Sequence, residues 1–186
     1  MKPEYEARFL DIDPQKITAQ LSARGGQQVL ARTLMRRIVF INDDIDARGG
    51  WLRLRQQGER TFLTYKQVAH QGPSSIDSIL EAETEVVDFQ ATRALLEAMG
   101  YTAKCYQENY REEWRLDGVT YDIDTWPDLP TYLEVEGESE QAVHDAATAL
   151  NLDPTLASYG SVDEVYLKVL GRDILAEPSL TFSRTD

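Results

Sequence analysis

Residues 51–68 read WLRLRQQGERTFLTYKQV, two runs of alternating apolar and polar side chains joined by the short link Gly58-Glu59. Alternation with a period of two is typical of β-strands, and a two-residue link is typical of a hairpin. In the first run the leucines share one face, while Arg53 and Arg55 share the other. In the second run Lys66 lies on the polar face. The stretch therefore predicts an antiparallel hairpin with one apolar face and one basic face.

The same period of two recurs along much of the chain. Strands are predicted at 3–10, 28–41, 51–57, 60–68, 78–86, 101–116, 119–126 and 132–137. Helices are predicted after the capping residues Asp13, Asp88, Ser139 and Ser161. Many consecutive strands with few helical crossovers favour an antiparallel sheet or a closed barrel. The sequence thus predicts an α+β fold, an eight-stranded antiparallel β-barrel with helices packed outside.

The length of 186 residues suits one domain with a sizeable core. We expect this domain to span 1–172. The residues after Gly171 show no periodicity, so we expect a flexible C-terminal tail over 173–186. A turn is predicted at 42–50, and a looser loop at 70–77.

The overall charge is strongly acidic, with 32 Asp and Glu against 19 Lys and Arg, a net of −13. A surface of this sign repels nucleic acid and anionic membranes, so we expect neither as a partner. The charged start does not resemble a signal peptide, and no apolar run approaches the roughly 20 residues of a membrane span. With one cysteine, Cys105, there is no internal disulfide, and we expect a cytoplasmic protein. A monomer and a homodimer both remain open.

Six of the predicted strands place charged or polar side chains on a single face. A sheet with one wet face would explain each strand alone, but the helices must cover the apolar face of the same sheet. The charges would then lie inside the barrel, where a buried set of ions needs both signs and a ligand. Carboxylates can bind Mg²⁺ or Mn²⁺, and arginines can bind phosphate oxygens. The pattern indicates a site for a metal–polyphosphate complex, formed by Glu4, Glu6, Arg8, Arg53, Arg55, Thr64, Lys66, Glu81, Glu83, Glu85, Asp122, Asp124, Glu134 and Glu136.

Particular strings carry a family resemblance. Glu4-Tyr-Glu6-Ala-Arg8 is similar to the ExExK signature of the CYTH superfamily, also called triphosphate tunnel metalloenzymes. Residues 50–55, GWLRLR, resemble its LRxR strand, and Thr64-Tyr-Lys66 resembles the lysine strand that follows. The later matches come in family order: EAETE at 81–85, YREEW at 110–114, DIDTWP at 122–127 and LEVEG at 133–137.

This resemblance implies a metal-dependent enzyme that holds a triphosphate substrate inside the barrel, with Mg²⁺ or Mn²⁺ as cofactor. The metal ligands that it implies are Glu4, Glu6, Glu134 and Glu136, with Asp124, Glu83 and Glu85 as further candidates. The phosphate-binding residues that it implies are Arg8, Arg37 (or its neighbour Arg36), Arg53, Arg55, Lys66 and Arg111. Lys66 and Arg8 would be the groups that take part in catalysis.

Two residues depart from the family pattern. Arg8 replaces the signature lysine, which keeps the charge but removes a group that can readily exchange a proton. Tyr110 stands where many relatives have a basic residue. The family's chemistry divides between hydrolysis of triphosphates and cyclisation of ATP to cyclic AMP. We expect hydrolysis of inorganic triphosphate or of an organic triphosphate. The alternatives are an adenylyl cyclase and a non-catalytic polyphosphate or nucleotide binder.

Overall fold

The hairpin around Gly58 is one part of a continuous antiparallel wall. The computed structural model describes residues 1–69, 75–77 and 79–182. Within this part, eight strands pair in the order β2-β3-β4-β5-β1-β8-β7-β6, and β6 pairs back with β2 to close a barrel. The strands are β1 (Lys2–Phe9), β2 (Gln27–Ile41), β3 (Gly50–Gln57), β4 (Arg60–Val68), β5 (Ile79–Val86), β6 (Thr102–Leu116), β7 (Val119–Thr125) and β8 (Tyr132–Gly137). The predicted eight-stranded barrel is confirmed.

The register of the strands aligns the polar faces of neighbours on the inside of the barrel. In the hairpin, Arg53 pairs with Thr64 and Trp51 pairs with Lys66. Since successive side chains alternate between the two faces of a strand, the leucines of β3 then point outward. Leu54 is fully buried there, packed with Leu96 of an outer helix. The barrel therefore has charges in its lumen and its apolar core outside the wall.

Five helices of the described residues cover that outer apolar surface: α1 (Pro14–Ala23), α2 (Asp43–Asp46), α3 (Phe89–Ala98), α4 (Glu140–Ala149) and α5 (Val162–Leu170). Three of the four predicted caps form, since the side chains of Asp13, Asp88 and Ser139 each accept a backbone N–H bond in the first turn of α1, α3 and α4. Ser161 precedes α5 as predicted, but its side chain makes no capping hydrogen bond. α1 and α4 pack on the outer faces of β1, β7 and β8. Nowhere in the described residues is there a helix long and apolar enough to cross a membrane.

Two local predictions differ from the structure. The predicted turn at 42–50 contains the short helix α2, because the Asn42 side chain accepts the backbone N–H of Ile45 and caps it. Of the predicted loop, Ser75 to Asp77 is described, and Ile76 is buried against the core. Residues 70–74 and Ser78, where the fifth strand was expected to begin, lie outside the described residues.

The expected flexible tail is wrong for residues 173–182. Ile174–Ala176 form a 3-10 turn, and Ser179–Leu180 form a ninth strand, β9, parallel to β6. Ile174 is fully buried and Leu180 is 2% exposed, in an apolar cluster with Tyr166 of α5. A segment this short has no periodicity for a sequence pattern to reveal, and isolated apolar residues anchor it instead. Residues 183–186 lie outside the described part of the chain.

Candidate active site

A cavity of about 320 Å³ occupies the lumen of the barrel. Each of the eight barrel strands contributes a charged or polar side chain to its lining. Charged residues of both signs dominate that lining, as the alternating pattern predicts. Bases and acids are distributed unevenly, and their pairing decides what the cavity can bind.

Arg37 has the least compensated charge in the cavity. It is 5% exposed, and in the described residues its guanidinium forms no ion pair. Its Nη2 donates to the neutral side chain of Asn109, and its buried Nε has no partner. The guanidinium carbon Cζ lies 4.7 Å from the ring centroid of Trp126. Burial, followed by repulsion from Arg53, Arg111 and Arg55, lowers the pKa of Arg37 to about 9.

Arg53 and Arg55 extend this positive region along β3. Both reach the same carboxylate oxygen of Glu83, at 3.5 and 3.3 Å, and the Nε of each is buried without a partner. Burial and the neighbouring arginines lower the pKa of Arg55 to about 10. Glu83 thus serves two guanidiniums, with Glu81 3.9 Å from that of Arg53, and Arg37 faces Arg55 directly across the β2–β3 pair. This side of the cavity has more positive charge than the protein itself neutralises.

Arg111 differs from the arginines of the basic side, because carboxylates surround its guanidinium. Its guanidinium lies 2.5 Å from oxygens of Asp122, Asp124 and Glu134. Although burial disfavours its charge, these three acids raise the pKa of Arg111 well above its ordinary value. Arg111 therefore holds the acids of β7 and β8 in place.

The opposite side of the cavity is acidic. The Lys66 ammonium lies 2.7 Å from Glu4 and 2.8 Å from Glu81. Burial and a shared hydrogen bond with Glu81 raise the pKa of Glu4 to about 8, although Lys66 opposes the shift. Burial opposes ionisation of Glu81 too, but there Lys66 prevails and the pKa falls to about 2. Lys66 thus favours the ionised form of Glu81, while the pKa of the neighbouring Glu4 stays raised.

Neighbouring groups hold the Arg8 guanidinium by hydrogen bonds. It donates to Glu134 at 2.6 Å, to Glu6 at 2.9 Å and to the Gly160 carbonyl at 3.3 Å. Burial disfavours its charge, but Glu134 outweighs this and the pKa of Arg8 rises above its ordinary value. A guanidinium in this state cannot exchange protons near neutral pH. Arg8 is thus paired with Glu134 and Glu6, and the catalytic role expected from the signature stays a prediction.

The acidic side has donor chemistry that suits a hard divalent cation. Burial and the charge of Glu134 raise the pKa of Glu6 to about 7, and burial and Glu81 raise that of Glu136. A divalent cation would relieve this crowding, since Mg²⁺ and Mn²⁺ prefer carboxylate oxygens. Among the described residues no three acids already stand at ligand spacing, because lysine and arginine hold them apart. The carboxylate donors suit such an ion. To coordinate it, Glu4 would have to give up part of its ion pair with Lys66.

Most of the residues expected from sequence meet in this cavity. Those that line it are Glu4, Glu6, Arg8, Arg37, Arg53, Arg55, Lys66, Glu83, Arg111, Asp124, Glu134 and Glu136. Glu85 does not, because β5 reaches the rim there. Its carboxylate is exposed and pairs with Arg60 at 2.7 Å. Tyr110 also lies outside: its ring packs on Phe182 and under the Arg32 guanidinium, so its departure from the family pattern does not alter the lumen.

Glu81 and Asp122, which share a face with the other acids of their strands, line the cavity as that parity predicts. Gln107, which lines the cavity, and Asn109, which contacts Arg37, were not selected from the sequence. Gln107 and Asn109 are neutral, but both have the parity of Arg111 on β6. Asn109 is fully buried and bridges Arg37 to Asp124, donating to the latter at 3.1 Å. A search for charged residues alone overlooks such a group.

A family model for the CYTH domain matches residues 2–165 of this chain. The chain belongs to the CYTH family. The match spans the barrel through the first half of α5 and includes all the cavity residues named above. None of the curated proteins matches the chain in sequence.

Solved structures share the CYTH barrel at low sequence identity. A candidate adenylate cyclase from Vibrio parahaemolyticus has a TM-score of 0.75 at 12% identity, covering 88% of this chain and 97% of that one. A conserved hypothetical protein from Pyrococcus furiosus has 0.71 at 18%, covering 90% and 99%. A candidate adenylyl cyclase from Hippeastrum with a dominant triphosphatase activity has 0.59 at 15%, covering 96% and 100%. At these identities the likeness establishes the fold.

Proposed function

We propose that this protein is a divalent-metal-dependent triphosphatase that binds its substrate in the barrel lumen. The observation that carries the proposal is the surplus of buried positive charge at Arg37, Arg53 and Arg55. Burying an unpaired guanidinium is costly, and a bound polyanion would offset that cost. Arginine also matches phosphate oxygens with two parallel donors, which sets the position of the chain of phosphates.

The acidic side would hold the metal. Glu4, Glu6 and Glu136, with Glu134 beside them, are the carboxylates that would bind Mg²⁺ or Mn²⁺, and Glu83 and Asp124 lie further into the basic side. When bound, the ion would neutralise charge developing on the transferred phosphoryl group. The arginines would stabilise the same charge from the opposite side.

Lys66 and Arg8 would play different parts. Lys66 lies between the paired acids Glu4 and Glu81, so it can orient a water or a phosphate oxygen next to a carboxyl that carries a proton. Arg8 fixes Glu134 and Glu6 in the orientation that the site needs. Under this proposal, proton transfer would take place on the β4–β5–β1 side of the lumen.

The test is incubation with inorganic triphosphate or ATP in the presence of Mg²⁺ or Mn²⁺, with assays for phosphate and for cyclic AMP. We expect release of phosphate that stops when the metal is chelated. Cyclic AMP with pyrophosphate would establish the cyclase instead, and tight binding without either product would establish a binder.

The metal assignment has its own test. We expect Glu4→Gln and Glu136→Gln to raise the metal concentration needed for half-maximal activity at least tenfold. Glu85→Gln is the matched control, since Glu85 has the same strand parity as Glu81 and Glu83 but lies at the exposed rim. If Glu4→Gln and Glu136→Gln both keep the wild-type metal requirement, the proposed metal ligands are wrong.

A further inference from the structure

A second cavity of about 560 Å³ opens directly from the charged lumen. The two cavities share lining residues, among them Val39, Trp51, Ile79 and Ser161. The second cavity, called the side cavity below, therefore continues the lumen at the end where β3 and β5 begin and where α5 starts. A molecule bound in the lumen can extend into it.

The walls of the side cavity differ in chemistry from the lumen. Ile41, Val68 and Leu175 give it apolar surface, and Trp51 lies at the junction with the lumen. Its charged lining residues are mostly acids, Asp46, Asp163, Glu164 and Asp173, with Lys104 as a base. A cavity of this size and character suits an organic group, as small-molecule sites of roughly 300–1,000 Å³ do. The acids disfavour a further negative charge there, so phosphates would stay in the lumen.

One wall comes from a part of the chain outside the CYTH match. Asp173, Leu175 and Ala176 line the side cavity, whereas the family model ends at residue 165. Burial of Ile174 anchors this wall between its lining residues. Arg172 adds ion pairs to Asp128 and Glu177, at 2.7 and 2.8 Å. The C-terminal segment thus adds to the barrel an anchored surface that lies outside the family match.

We propose that the side cavity binds the organic group of a triphosphate ester, uncharged or positively charged, while the lumen holds the phosphates. The proposal rests on the proposed function, because it assumes a triphosphate in the lumen. Inorganic triphosphate would fill the lumen and leave the side cavity unused. The C-terminal segment then determines specificity for the ester over the inorganic compound.

The experiment compares one substitution in the side cavity with the same substitution elsewhere. Ala176 is exposed and lines the side cavity but not the lumen, so Ala176→Phe fills the cavity at little risk to folding. Ala98→Phe, at an exposed position at the end of α3, is the control. The readout is kcat/KM for ATP and for thiamine triphosphate, each divided by kcat/KM for inorganic triphosphate. Dissociation constants replace kcat/KM if nothing is turned over.

In the wild type we expect at least one ester to be preferred over inorganic triphosphate. We expect Ala176→Phe to lower that preference at least tenfold and Ala98→Phe to leave it within twofold. A wild-type preference for inorganic triphosphate, or an Ala176→Phe variant with an unchanged ratio, would overturn the proposal and leave the triphosphatase intact. Binding of triphosphates without hydrolysis would refute the triphosphatase, while the ratio of dissociation constants would still decide the side cavity. Absence of any triphosphate binding would refute both.

Discussion

Arg37 combines burial, positive charge and the lack of an acidic partner within the described residues. We expect Arg37→Met, which keeps a long side chain over Trp126, to weaken binding of inorganic triphosphate at least tenfold. Stability should change by less than about 1 kcal/mol, because relief from the desolvated charge offsets the hydrogen bond lost at Asn109. Calorimetric titration and urea unfolding measure the two effects.

The neighbouring arginine provides the control for this prediction. Arg36 belongs to the same strand but points outward and is exposed. Arg36→Met should therefore leave triphosphate affinity within twofold. Loss of several kcal/mol of stability in Arg37→Met with unchanged affinity would mean that Arg37 supports the fold and not the ligand.

At the scale of elements, the alternating pattern predicted the strands better than the sequence of the connecting segments predicted the turn, the loop and the tail. Parity alone assigned the inward face of six barrel strands, because side chains alternate strictly along an extended chain. In β2 it left the choice between Arg36 and Arg37 open. It could not place Glu85, since parity says nothing about where a strand leaves the barrel. Nor could it find Asn109, whose value lies in the partners that β2 and β7 bring to it. The hydrogen bonds of Arg8 likewise depend on Glu134, 126 residues away in sequence.

The C-terminal segment is the element that the sequence misjudged. Its hold on the barrel comes from tertiary contacts of single residues, above all Ile174. We expect Ile174→Ala to lower the free energy of unfolding by about 2–5 kcal/mol, the usual range for truncating a fully buried isoleucine. Leu156→Ala, at a residue 75% exposed, should cost no more than about 0.5 kcal/mol. Equal midpoints of urea unfolding for the two variants would contradict the assignment of this segment to the folded core.

At the scale of the whole molecule, a triphosphate meets a net negative charge outside the barrel and guanidiniums inside it. Its net charge is −13, whereas the guanidiniums of Arg37, Arg53 and Arg55 lie inside the barrel wall. At about 10 mM salt, where the Debye length is about 30 Å, an approaching anion experiences mainly the net negative charge, whereas at physiological salt, where it is about 8 Å, that repulsion is largely screened. The arginine surplus acts only after entry. Attraction within the lumen and repulsion outside it should therefore respond differently to ionic strength.

We expect the association rate of metal-free triphosphate to rise with salt, by about two- to fivefold between 20 and 150 mM, because screening weakens the outer repulsion. Trp51 and Trp126 line the lumen, so stopped-flow tryptophan fluorescence can follow entry. A protein that steers anions with surface arginines shows the opposite trend, a rate that falls as salt is added. A falling rate here would mean that the guanidiniums project their field past the rim and that the acidic surface does not control entry. A rising rate, with a dissociation rate that changes little, would place selection of the polyanion inside the barrel, where Arg37 has no acidic partner among the described residues and Arg53 and Arg55 share Glu83.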